Sequence, residues 1–133
     1  MGESVTKKDK EIRVLLVDDD RDFAQLMSHW LQQQGCSITV AYGGEEGIKK
    51  IKEDAPDIVF LDVIMPNMDG FTALRKIREF NSTLPVILMS SYLEDRGVGK
   101  KSNAFGMSGF FGKGDEFSRA LTLLHEALKI DKK

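Results

Sequence analysis

Four places in this chain of 133 residues carry side chains that could do chemistry together. Asp18-Asp19-Asp20 closes the short apolar run Arg13–Val17, and Asp62 closes a second, Ile58–Leu61. Ser90 and Ser91 follow Pro85–Met89, and Lys113 follows Gly109–Gly112. Carboxylates brought close together repel, and one of them takes up a proton unless a cation intervenes. A hard divalent ion with oxygen ligands, Mg²⁺ above all or Mn²⁺, suits such a cluster. Mg²⁺ keeps waters and a phosphoryl group among its ligands, which points away from a structural Ca²⁺ cage. Beside it, Asp62 is a candidate carboxylate nucleophile able to form an acyl phosphate. Lys113 would neutralise charge on the transferred group, and Ser90 could hydrogen-bond one of its oxygens. Taken alone, Asp62 reads equally well as a cap on the loop that follows, where Met65-Pro66-Asn67 and Asp69-Gly70 carry turn residues.

These groups can meet only if the elements that carry them are neighbours. The apolar runs are too short for helices and suit strands buried on both faces, as in a parallel sheet. Between them lie helical patterns. Phe23, Leu26, Met27, Trp30 and Leu31 recur at helical spacing, with Asp20 as a candidate cap and Gly35 as a stop. Cys36–Ala41 reads as a strand, with Ile38 and Val40 alternating against Ser37 and Thr39. Gly43–Asp54 reads as a weaker helix, and Asp69 or Gly70 opens another with Phe71, Leu74 and Ile77 on one face. Phe117, Ala120, Leu121, Leu124, Ala127 and Leu128 mark the last helix. Strand and helix alternate five times, which predicts an α/β parallel sheet covered by helices on both faces. Sites in such sheets form beyond the carboxyl ends of the strands, where all four chemical groups fall.

The Val17–Asp20, Asp62–Gly70, Pro85–Ser90 and Gly109–Lys113 motifs, in this order and spacing, resemble the receiver domains of two-component response regulators. The resemblance covers about residues 11–130. It implies a five-stranded parallel sheet in the order 2-1-3-4-5, the (βα)5 flavodoxin-like three-layer sandwich. It also implies a phosphoacceptor switch rather than an enzyme. Asp62 would be the phosphoacceptor. Asp19 would ligate Mg²⁺ directly, Asp18 through water, with Asp62 and the backbone carbonyl of Ile64 completing the protein's share. Ser90 matches the switch hydroxyl and Ser91 the small residue beside the phosphate. Lys113 would pair with the phosphoryl group, and Phe110 matches the aromatic whose rotamer couples to Ser90. The implied partners are a histidine kinase or phosphotransfer protein as donor, and a downstream protein or a missing output domain.

Two places depart from that pattern. Gly114 stands where proline usually follows the lysine, so a trans Lys113–Gly114 bond is expected, because a non-proline cis bond costs about 2.5–4 kcal/mol. The segment 92–105, where a helix is expected, contains Gly97 and Gly99. It predicts a short, late or mobile helix starting near Val98.

Composition bounds the rest. The length suits one domain, expected over residues 11–131 after a disordered tail at 1–10. The formal net charge of −2 gives no sign of direct nucleic-acid binding. Its distribution is uneven: residues 1–95 hold eleven basic and seventeen acidic residues, and residues 96–133 hold eight basic and four acidic. That split fits an acidic pocket with a basic partner face, or simple chance. One cysteine, Cys36, excludes an internal disulfide and reads as a small buried apolar residue in a reducing, cytoplasmic setting. No apolar run approaches the roughly 20 residues of a membrane span. Three other functions remain in view. A flavodoxin-like ligand module would need a phosphate cradle, yet its first loop here is strongly acidic and no P-loop or G-x-G-x-x-G occurs. An aspartyl phosphatase usually carries a second acid two residues after its nucleophile, where this chain has Ile64. A degenerate receiver would only dock partners.

Overall fold

The computed structural model describes residues 11–91 and 106–129. The expected tail at 1–10 and the expected helix between 92 and 105 lie outside them. Five parallel strands form one sheet in the order β2-β1-β3-β4-β5. They are β1 (Arg13–Val17), β2 (Ser37–Ala41), β3 (Ile58–Asp62), β4 (Val86–Ser90) and β5 (Gly109–Gly112). Helices α1 (Arg21–Gln33), α2 (Gly44–Glu53), α3 (Gly70–Phe80) and α4 (Phe117–Leu128) complete the described elements. The order and parallel pairing match the sequence expectation, and with helices on both faces the fold is the three-layer flavodoxin-like sandwich.

Strand alternation divides the core. Val14, Leu16, Phe60, Ile87, Met89 and Phe111 pack one face against Ala24, Met27 and Leu31 of α1 and Ala120 and Leu124 of α4. Leu15, Val17, Val59, Leu61 and Leu88 pack the other against Ile51 of α2 and Leu74 and Ile77 of α3. The central strands β3 and β4 are buried along their full length, as their unbroken apolar runs require. Cys36 is buried and free, as expected. One core expectation differs. Leu26 is 64% exposed, because the inner side of α1 is set by Ala24, Met27 and Leu31 and position 26 turns away from it.

Two of the described helix starts are capped by a side chain, the first by Asp20 as the sequence suggests. Asp20 accepts the Phe23 N–H at 3.2 Å, and Asp69 accepts the Thr72 N–H at 2.8 Å. Gly35 takes a positive φ of 95° just after α1. Replacing Asp69 by alanine leaves an amide of the first turn of α3 without this acceptor. It is expected to lower stability by about 1 kcal/mol, read as a shift in urea midpoint without a change in slope.

Candidate functional site

The carboxyl ends of β1, β3, β4 and β5 meet because they are adjacent in the sheet. The register pairs Val17 with Leu61, Asp62 with Met89 and Ser90 with Gly112, so the residues after each strand emerge side by side. Asp18 is fully buried just beyond β1, while Asp19 beside it is exposed. Asp62 is 4% exposed at the end of β3. Carboxylate oxygens of Asp18, Asp19 and Asp62 lie within 4.8 Å of one another.

Lys113 closes the cluster from the far side. Its backbone N–H donates to the Ser90 carbonyl at 2.9 Å, which continues the β4–β5 pairing past the last strand residue. Its Nζ lies 2.9 Å from Asp18 Oδ2 and 3.7 Å from Asp62 Oδ2. Asp18 Oδ1 accepts the Asp20 N–H at 2.9 Å. Asp18 Oδ2 is buried without a hydrogen bond of good geometry, so the nearby ammonium is its compensation. The Lys113–Gly114 bond is trans, as expected.

The electrostatics follow from this crowding. Burial and the neighbouring Asp18 charge push the Asp62 carboxyl up to about 7, against the opposing pull of Lys113. Burial pulls the Lys113 amine down, but the contact with Asp18 and the charges of Asp62, Asp18 and Asp20 outweigh it, and the net direction is up. A negative cluster that a single lysine does not neutralise suits a hard divalent cation. The donors are all oxygen, and Asp19 faces solvent where an ion could enter. The residues therefore fit Mg²⁺.

The other expected residues fall around this centre. Ser90 is buried at the end of β4, and Ser91 is exposed immediately after it. Ile64 is 56% exposed in the loop after β3. Phe110 is half-buried, paired with Leu88 in the register and packed on the α2–α3 side of the sheet. It thus lies two strand positions below Ser90. Phe23 went unrecognised in the sequence as part of the site. It reads there as a core position of α1, yet its ring lies 4.7 Å from Lys113 Nζ. The available signal is its place three residues after the capping Asp20, in the turn that leaves the acid loop.

The response regulator receiver domain model matches residues 14–125 of this chain. The chain belongs to the response regulator receiver domain family. The receiver domain is 40% identical over 88 residues to the transcription factor SKN7 of Candida albicans, a match covering 66% of this chain and 16% of that protein. It thus spans a small part of that relative. Among solved structures, the chemotaxis protein CheY4 of Vibrio cholerae superposes with a TM-score of 0.84 at 27% identity, covering 89% of this chain and 99% of that one. CheY of Borrelia burgdorferi, crystallised in a complex with CheX, BeF3 and Mg²⁺, gives a TM-score of 0.80 at 32% identity, with 86% and 87% covered. Two-component signalling is thereby the setting of this receiver domain. Among the described residues, no helix is long and apolar enough to cross a membrane.

Proposed function

We propose that this receiver domain is a phosphoacceptor switch that takes a phosphoryl group onto Asp62. The observation that carries the reading is the meeting of Asp18, Asp19 and Asp62 with Lys113 at the carboxyl edge of the sheet. An oxygen of the Asp62 carboxylate attacks phosphorus, and the P–N bond to a donor histidine breaks. The electron pair leaves on the imidazole. Lys113 is already held within reach of the carboxylate and pairs with the phosphoryl oxygens as they arrive. Ser90 donates its hydroxyl to one of them, and Ser91 leaves room beside it. Asp18, Asp19, Asp62 and the Ile64 carbonyl would hold Mg²⁺, Asp18 through a water. When bound, the ion supplies positive charge that offsets the phosphoryl group and favours the ionised form of Asp62.

The donor in this reading is a histidine kinase or phosphotransfer protein in the cytoplasm. The domain acts on a downstream protein, or on an output domain joined to it, through a face whose shape follows Ser90 and Phe110. Attack of water on the acyl phosphate resets the switch. The domain is then a reactant in its own chemistry and not an enzyme acting on a separate substrate.

Intact-mass measurement after acetyl phosphate and Mg²⁺ tests this. One added phosphoryl group is expected on the wild-type chain and none on Asp62→Ala. A folded wild-type protein that gains no mass under any condition would favour a domain that only docks partners. Retention of the added mass in Asp62→Ala would move the acceptor to another residue.

A further inference from the structure

We propose that Phe23 is a positioning residue for Lys113, its ring face holding the ammonium toward Asp18 and Asp62. The inference deepens the phosphoacceptor reading and rests on it. Lys113 Nζ lies 4.7 Å from the centroid of the Phe23 ring, 2.9 Å from Asp18 Oδ2 and 3.7 Å from Asp62 Oδ2. The lysine side chain is only 11% exposed. Carboxylates and an aromatic face thus share the surroundings of one largely desolvated ammonium. A ring face carries partial negative charge, and its attraction for a cation grows as water is excluded.

Phe23 is itself fixed. Its ring meets Phe117 edge to face, with centroids 5.9 Å apart and planes at 64°, and Trp30 packs on Phe117 from 6.0 Å. Its backbone N–H donates to Asp20 Oδ1 at 3.2 Å, and the Asp20 N–H donates to Asp18 Oδ1 at 2.9 Å. Asp18, Asp20, Phe23 and Lys113 therefore close a circuit: carboxylate to loop amide, cap to helix amide, ring to ammonium, ammonium to carboxylate. The lysine needs such a guide. Its four-carbon stem is flexible, and the glycine that follows it has open space where a Cβ would stand. The Ser90 hydrogen bond fixes only the backbone of Lys113. Beyond it, the ring confines the amine to the carboxylate side.

Two substitutions separate the ring face from mere bulk. Phe23→Leu keeps an apolar side chain without the π face, and Phe23→Tyr keeps the face. In the wild-type protein the Lys113 ε-methylene protons should resonate upfield of ordinary lysines, shifted by the ring current. That shift should persist in Phe23→Tyr and vanish in Phe23→Leu. The rate constant for phosphorylation by acetyl phosphate should fall about tenfold in Phe23→Leu and largely recover in Phe23→Tyr. Ordinary ε-proton shifts in the wild type, an unchanged rate in Phe23→Leu, or equal losses in both variants would overturn the proposal. Urea midpoints of both variants separate these outcomes from unfolding. Failure of the switch itself reads differently, because all three proteins would then stay unphosphorylated. The positioning by Phe23 would in that event stand or fall on the proton shift alone.

Discussion

Replacing Gly70 by alanine is expected to destabilise the receiver domain by about 2–3 kcal/mol and to displace Asp62. Gly70 opens α3, where alanine would ordinarily be the better helix former. Here the added Cβ has no space. It would collide with the backbone carbonyl oxygen of Asp62 and lie 2.8 Å from the Val63 Cα. Both obstacles are main chain, and the Gly70 N–H is tied to the Val63 carbonyl at 2.7 Å. Relief therefore requires α3 to back away from the end of β3, which carries the proposed phosphoacceptor. Gly44→Ala is the control. Its Cβ would stand 2.9 Å from Met68 Sδ, 3.2 Å from Cγ and 3.3 Å from Cβ, all side-chain atoms: the sulfur can swing aside and the Cβ contact asks for a shift of only a few tenths of an ångström. Urea unfolding of the two variants should rank Gly70→Ala well below wild type and Gly44→Ala near it. Equal stabilities for the two would show that the close approach at Gly70 can be relieved at little cost.

The second large effect is a reversal with pH. Without metal, Asp62→Asn is expected to be more stable than wild type at pH 8, by roughly 1–3 kcal/mol, and to lose most of that advantage at pH 5. The folded carboxyl of Asp62 is raised to about 7 from an ordinary value of 3.8. A raised value means that the folded state holds the proton more tightly than the unfolded chain. The stability this contributes is complete below about 4 and is lost as pH rises through 7. At pH 8 the wild-type protein must keep a charged carboxylate beside Asp18, and asparagine removes that repulsion. At pH 5 the wild-type carboxyl is protonated in the fold, so the two proteins converge. Urea titrations in a chelator at both pH values, compared between variant and wild type, isolate this residue from the other titrating groups. Saturating Mg²⁺ should shrink or invert the difference at pH 8 if the proposed cluster holds the ion in the folded wild type. An advantage of equal size at both pH values would rule out the raised Asp62 carboxyl as its source.

Much of this protein is legible along the chain because its elements are locally consistent. The runs Ile58–Leu61 and Val86–Met89 are apolar at every position, and only a strand covered on both faces calls for that. Asp20 and Asp69 sit at helix starts and accept the first-turn amides that a cap must satisfy. Leu26 was harder to place. It fits the helical spacing, yet whether position 26 faces inward depends on how α1 is rolled against the sheet, and the side it buries is that of Ala24, Met27 and Leu31. Asp62 was ambiguous for a related reason. A lone acid at a strand end is as good a cap as a nucleophile, and only acids and an amine on neighbouring strands distinguish the two.

By itself the sequence determined the kinds of element, the βα alternation and the residue types gathered at the carboxyl edge. These follow from periodicity, capping and the rule that strand ends in such sheets carry the site. Only the tertiary structure decided which carboxylate is buried and which faces water, and which oxygen the Lys113 ammonium lies against. It alone placed a helix aromatic over that ammonium and brought the start of α3 hard against the end of β3. Those are relations between residues far apart in the chain, set by strand order and by the packing of helices across the sheet. Local propensity carries no record of them.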